Sequence, residues 1–348
     1  MADGITGRQW IREGSFTISG KTWDIVKLRA QFMVRQKDSQ HPNWMYIRIT
    51  NLSNDSMNHD YKENDLVELK AGYPGRSGII FKGRVMQVRK GKEPNGVDKY
   101  FDVLATSNNQ AYGFAMVNKT LKAGWTNRDI LDEALKPMKA FGVEEGHVAD
   151  LGSKKSTRAK VLFGHPREIL RDLAFSTGTS WSIQNEKFQM LKPNGYLPGD
   201  VVVLNSNTGM IGLPEQNLKG IVAKSLLNPE FHYGGRVKID ESSIQRSLYT
   251  AGFQPGSASQ QRDITPTIAP DGIYRILRVD HDGDSEGQDW YSTLTCTNAS
   301  DSLKPGQAGG ELANPSPVEG GNADEQVWRG TTETEDDKGS NRGGGEGQ

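Results

Sequence analysis

Between Ser15 and Thr106 apolar and polar residues alternate in run after run, and Gly, Pro, Asn or Asp bounds almost every run. Alternation with period two puts successive side chains on opposite faces of a strand, so one face of each run is built for burial. Met45, Ile47 and Ile49 alternate with Tyr46, Arg48 and Thr50, and Val67, Leu69, Ala71 and Tyr73 make the next set. The turn Pro74-Gly75-Arg76-Ser77-Gly78 leads to Ile79, Phe81 and Val85 on one predicted face, and Phe101, Val103 and Ala105 close the series. Six or so strands at this spacing predict a barrel or sandwich rather than a parallel sheet. Gly83, inside a predicted strand between Lys82 and Arg84, marks a bulge or a close backbone approach.

Two helices interrupt the pattern. Thr126 is placed to cap the first and Asp129 to complete a capping box, with Ile130, Leu131, Ala134, Leu135 and Met138 as one apolar stripe and Pro137 as its expected end or kink. The second starts at Pro166, buries Ile169, Leu170, Leu173 and Ala174, and stops at Gly178. Between them lie a basic linker and a short strand, Lys160-Val161-Leu162-Phe163; Ser180 to Ile183 and Phe188 to Leu191 follow as a strand pair. From Asp200 the β pattern returns in Val201 to Leu204, Gly220 to Ala223, Leu226-Leu227 and Arg236 to Ile239, and a hairpin joins Ile273–Val279 to Trp290–Cys296. Asn228-Pro229, Gly234 and Asp282-Gly283-Asp284 mark further turns. The expected fold is β-rich α+β: two β-barrel or sandwich domains, residues 1–112 and 199–300, separated by an α/β insertion over 113–198. A loop rich in Gly, Ser, Gln and Pro occupies 247–270, and an acidic Gly-rich tail, 301–348, has almost nothing to bury and is expected to be disordered alone.

At 348 residues the chain has room for two or three compact domains. The tail holds 4 basic and 10 acidic side chains, net −6, and the remaining 300 residues hold 38 and 33, net +5. A mildly basic body of this kind does not imply sequence-specific nucleic-acid binding. The start Met1-Ala2-Asp3-Gly4-Ile5 has no basic flank before an apolar stretch, and no eighteen apolar residues run together, so neither a signal peptide nor a membrane span is expected. The single Cys296 can form no internal bridge, which suits a reducing cytoplasm; its place in an alternating run reads as a small core residue rather than a reactive thiol.

Chemical motifs are sparse. His281-Asp282-Gly283-Asp284-Ser285-Glu286 has the residue types of a cation loop but not the EF-hand spacing, and reads as a hairpin turn whose Asp side chains bind their own backbone. The six His residues form no i, i+4 pair, and no nucleophile elbow, phosphate loop or dinucleotide fingerprint occurs, so no catalytic residue, metal or cofactor is expected. Asp132 and Glu133 read as a solvated helix flank, Arg89-Lys90-Gly91-Lys92 as a hairpin tip, and Lys154-Lys155-Ser156-Thr157-Arg158 as a solubilising linker. Val327 and Trp328 are the one large apolar pair between Pro317 and the C-terminus, which predicts a docking anchor on a neighbouring subunit or a partner.

Three phrases, taken in order, resemble the central baseplate hub family of contractile-tailed bacteriophages. The first runs from Asn51-Leu52-Ser53 through Asp65 to Leu69, Ala71-Gly72-Tyr73 and Ile80-Phe81-Lys82-Gly83. The second runs from Gly212-Leu213-Pro214 through Gly220-Ile221-Val222 and Ser225 to Pro229, ending on Gly234 to Ile239, and the third joins Tyr274-Arg275-Ile276 and His281 to Asp284 to Asp289-Trp290-Tyr291. The resemblance implies a homotrimeric ring in the virion baseplate, assembled in the host cytoplasm, whose chains each give two tube-type β domains. It also implies partners: the tail tube protein, the central spike protein, the tape-measure protein and other baseplate proteins, with DNA passing through the channel unread. The acidic tail departs from that pattern. Two rival readings stay open: a tail-associated peptidoglycan hydrolase, and a carbohydrate or receptor-binding module using Trp44, Tyr46 and Trp181, although their alternating positions favour core packing.

Overall fold

The first block of the structure contains β1 (Glu13–Ile18), β2 (Lys21–Asp24), β3 (Ala30–Lys37), β4 (Trp44–Thr50), β5 (Leu66–Tyr73), β6 (Arg76–Lys92) and β7 (Lys99–Thr106), with a short helix α1 (Asn54–Asn58) after β4. The computed structural model describes residues 11–37, 41–94, 96–193, 195–217, 220–239, 245–246 and 272–298; the loop expected at 247–270 and the tail with Val327 and Trp328 lie outside them. All pairings within this block are antiparallel, in the order β3-β4-β7-β6-β5-β1-β2. The alternating sets of β4, β5 and β7 bury one face as their period requires: Met45, Ile47, Ile49, Val67, Leu69, Phe101, Val103 and Ala105 are all inaccessible. Half-buried Trp23 packs against the core residues Phe16 and Phe101, at ring separations of 6.1 and 6.3 Å.

β6 departs from the simple period. Its register slips opposite Leu69/Lys70 and again at Val85/Gln87, bulges that let a 17-residue strand bend around the core. The first bulge turns Ile80 inward beside Phe81 and leaves Ile79 40% exposed, so Ile79 does not share the face of Phe81 as the period predicted. Arg89 to Lys92 are strand residues rather than a hairpin tip, because pairing with β7 continues to Lys92↔Lys99.

The α/β insertion follows as α2 (Asn109–Phe114), β8 (Val117–Leu121), α3 (Asn127–Ala140), β9 (Glu144–Val148), β10 (Lys160–Gly164), α4 (Pro166–Thr177), β11 (Ser180–Gln184) and β12 (Lys187–Leu191). Thr126 and Asp129 form the capping box of α3, and its five stripe residues are all buried. Pro137 does not end α3, which runs to Ala140. α4 begins on Pro166 and ends at Gly178, whose φ of 60° is the left-handed conformation that glycine favours. Two small sheets carry the rest: β8 with β10, and β11-β12-β9 with β9 parallel to β12. One apolar cluster joins α3 and α4 to Trp181, Ile183, Phe188 and Met190.

The second block holds β13 (Val201–Leu204), a 3-10 turn (Ser206–Thr208), β14 (Met210–Asn217), β15 (Gly220–Leu226), β16 (Arg236–Ile239), β17 (Gln245–Arg246), β18 (Ile273–Asp284) and β19 (Trp290–Asn298). β18 is its pivot. Residues 273–275 pair with β16 and residues 278–284 with β3, while β19 lies along the other edge throughout. The change of partner coincides with a register shift between Ile276 and Arg278, where the extra residue bends the strand. Strands of both blocks therefore share one sheet, running from β17 to β2 with β13 and β16 as a side branch, and no closed barrel forms among the described residues. The expected β-rich α+β class is what the structure shows.

Candidate assembly surfaces and the joints that position them

A sheet shared by two blocks can present surfaces in fixed relation only if the insertion is also held to it, and two joints do this. The first is the segment Leu227–Gly235. Leu227 packs into the core of the first block together with Trp290 from β19, whose indole N–H donates to the Gly72 carbonyl at 3.2 Å. Asn228 forms a turn of its own, its side-chain oxygen accepting from the Glu230 N–H at 3.0 Å, while its N–H donates to Ser292 Oγ at 3.1 Å. Pro229 lies against Gly78, where an added Cβ would meet the proline ring at 3.1 Å. Gly234 has φ +79° and sits so near Leu191 that an added Cβ would meet its methyl at 2.8 Å. Close by, the inaccessible Arg275 donates to the Lys192 and Pro193 carbonyls and, at 2.8 Å, to the Tyr233 hydroxyl. A guanidinium is tolerated there because fixed carbonyl oxygens replace its water.

The second joint is the β11–β12 hairpin tip. Asn185 and Glu186 both have positive φ, as a two-residue hairpin turn requires. Asn185 accepts the Lys82 N–H at 3.0 Å, and Gln184 and Asn43 share a 2.6 Å hydrogen bond. Glu186 receives the Asn108 amide at 2.8 Å and faces Arg84 at 3.5 Å. Burial raises the Glu186 pKa, a shift that Arg84 and Asn108 oppose. Asn185 as the first of two turn residues was the available sequence signal for this joint.

Other predicted residues divide clearly. Gly83 stands opposite Val67, and an added Cβ there would meet the Thr106 carbonyl oxygen at 2.5 Å. The turn expected at Asp282-Gly283-Asp284 is displaced: Asp282 and Gly283 stay in β18 opposite β3, because pairing persists to Asp284↔Gln31. Asp284 alone serves the turn, accepting from the N–H groups of Glu286 and Gly287. His281 is inaccessible, shares a 2.8 Å hydrogen bond with Ser292, and has its pKa pushed down to about 3 by burial and by Arg35. Among the described residues no group of three His, Cys, Asp or Glu could hold a metal ion.

Enzyme-like chemistry finds little geometry. The Ser292–His281 pair is sealed from solvent, and burial drives the Cys296 thiol well above its usual range. A shallow groove of about 640 Å³ beside α3 is lined by Trp125, Asp129, Asp132 and Glu133. Its carboxylates are engaged: Asp129 caps the helix and is held below the usual range by Thr126, Asp132 pairs with Arg128 at 2.9 Å, and Glu133 pairs with Lys136. Trp181 is core, stacked on Phe188 at 6.0 Å, while Trp44 and Tyr46 are half-buried on β4. β13 has β16 as its one strand neighbour among the described residues, and its Val203 is 46% exposed. No helix among those residues is long and apolar enough to cross a membrane.

No protein-family model and no curated protein sequence matches the chain. Solved structures do. A 43 kDa tail protein of prophage MuSo2 from Shewanella oneidensis aligns with TM-score 0.55 and 11% identity, over 83% of this chain and 99% of that one. A tail protein from Neisseria meningitidis MC58 aligns with TM-score 0.51 and 9% identity, over 83% and 97%. The E. coli c3393 protein, a type VI secretion component described as structurally similar to the T4 tail proteins gp27 and gp5, aligns with TM-score 0.51 and 11% identity, over 81% and 76%. The chain has the fold of phage tail proteins, as the sequence resemblance led one to expect.

Proposed function

We propose that the chain is a structural protein of a phage tail and forms the trimeric hub at the centre of the baseplate. The observation that carries this reading is the pivot strand β18, which draws two β blocks of one chain into one sheet, in a fold shared over nearly the whole length of a prophage tail protein. With two tube-type β domains per chain, three chains would offer six units to a six-fold tail tube. The edge of β13 that has no strand neighbour among the described residues, with its exposed Val203, supports ring closure, because such an edge in a monomer would invite uncontrolled pairing. On this reading the partners are the tail tube, the central spike, the tape-measure protein and other baseplate proteins. DNA passes through without base recognition, and the protein's place is the virion. The role is structural and not catalytic: the candidate carboxylates are ion-paired and the Ser292–His281 pair is buried. Purified particles bearing an epitope on this chain test it. Gold label confined to the baseplate end is expected; label along the whole tail, or on the capsid, would overturn the proposal.

A further inference from the structure

On the outer face of the β8–β10 ribbon the β10 half is apolar, while β8 gives that face Asn118 and Thr120, opposite Phe163 and Val161. Val161 and Phe163, two apart on β10 and so on one face, are 67% and 72% exposed, while Leu162 between them is buried in the cluster of α3 and α4. Phe114 and Met116, 70% and 53% exposed, lead directly into β8, and the pairing Gly164↔Val117 places that approach at the Phe163 end. At the other end Lys160↔Leu121 is the last pair, so Lys122 and Arg158 follow on the two strands. The loops there are tied together by Ser156 N–H to the Trp125 carbonyl at 2.9 Å and by the Trp125 indole to the Arg158 carbonyl at 2.8 Å. Segments 122–126 and 151–159 at that end hold Lys122, Lys154, Lys155 and Arg158 and no Asp or Glu; Lys119 and Lys160 alternate onto the other face with Leu162, and Asp129, Asp132 and Glu133 of α3 line the groove beside Lys122 and Trp125.

A strip graded from aromatic to cationic fits an anionic segment that carries its own apolar anchor. This chain contains one. Residues 301–348 have a net charge of −6 and include Val327-Trp328, and Trp328 follows Asn298, the end of β19, by 30 residues, a reach of up to about 100 Å when extended. We propose that the outer face of the β8–β10 ribbon receives the acidic segment around Trp328 of a neighbouring copy. The proposal rests on the trimeric reading for the neighbour alone; the affinity of face for segment is independent of it.

The test uses the full chain carrying Trp328→Ala, which removes the competing anchor, titrated with a fluorescent synthetic peptide of residues 319–338. Saturable binding is expected, weakened at least about tenfold by Phe163→Ser with Val161→Ser, by Lys154→Glu with Lys155→Glu and Arg158→Glu, or by the same change of Trp328→Ala in the peptide. It should also weaken as salt rises. Both receptor variants alter exposed residues, and thermal unfolding matching the parent confirms their fold. Absence of peptide binding, or binding indifferent to both variants, would overturn the proposal. So would tighter binding of anionic phosphatidylglycerol vesicles or of a single-stranded oligonucleotide through the same residues. A native mass short of a trimer with peptide binding intact would count against the ring and leave the face–segment contact standing.

Discussion

Two strands with similar sequences meet opposite fates. In β7, Phe101, Val103 and Ala105 are spaced by two and all vanish into the first core. In β10, Val161, Leu162 and Phe163 are consecutive, so both faces of the strand are apolar, and a two-stranded ribbon with helices beneath can cover only one. The difference teaches that an apolar residue in a strand is a core residue only when the topology supplies a second layer. Where it does not, the surplus marks a surface kept for something else.

Truncation of Phe101 breaks the comparison from the core side. Phe101→Ala should cost about 3 to 5 kcal/mol of stability in chemical denaturation, since the ring is inaccessible and packs on Trp23 and Tyr61. A loss below about 1 kcal/mol would mean that β7 is not core.

Acid probes the pivot between the blocks. Below its ordinary pKa of 6.5, His281 takes up a proton in the unfolded chain that the folded chain refuses until about pH 3, so its neutral form loses stabilising advantage as pH falls through that window. Stability should decline by up to about 1.4 kcal/mol per pH unit from this group, roughly 2 to 3 kcal/mol between neutral pH and pH 4.5. His281→Asn should flatten that slope whatever it does to stability at pH 7; an unchanged slope would show that acid acts elsewhere.

A smaller effect is expected at Gly83. Gly83→Val forces a side chain against the Thr106 carbonyl, and about 1 to 3 kcal/mol should be lost by thermal unfolding. Unaltered stability would remove the close approach from the list of constraints on β6. Phe163→Ser sharpens the contrast with Phe101, because at 72% exposure it should change the stability of the isolated chain by less than about 0.5 kcal/mol.

Elements whose signal is local could be read before any coordinates. The Thr126–Asp129 capping box, the stripe of α3, the Pro166 and Gly178 boundaries of α4 and the alternation of β4, β5 and β7 all repeat within a few residues, where propensity and period act. Long-range pairing was not legible. The bulge that turns Ile80 inward depends on the register with β5, the parallel pairing of β9 with β12 depends on a distant strand, and β14, with Gly212 and Pro214 in its middle, looks like a turn. The buried charges of the joints were missed for the same reason. Arg275 sits in an apolar strand pattern with nothing nearby in sequence to announce that the Lys192 and Pro193 carbonyls will receive it.

The trimeric ring is the claim on which the proposed function stands, and native mass spectrometry of the purified chain addresses it directly. The expected species has about three times the 38.4 kDa of one chain. A stable dimer, or a monomer that persists at high concentration and in the assembled particle, would contradict it.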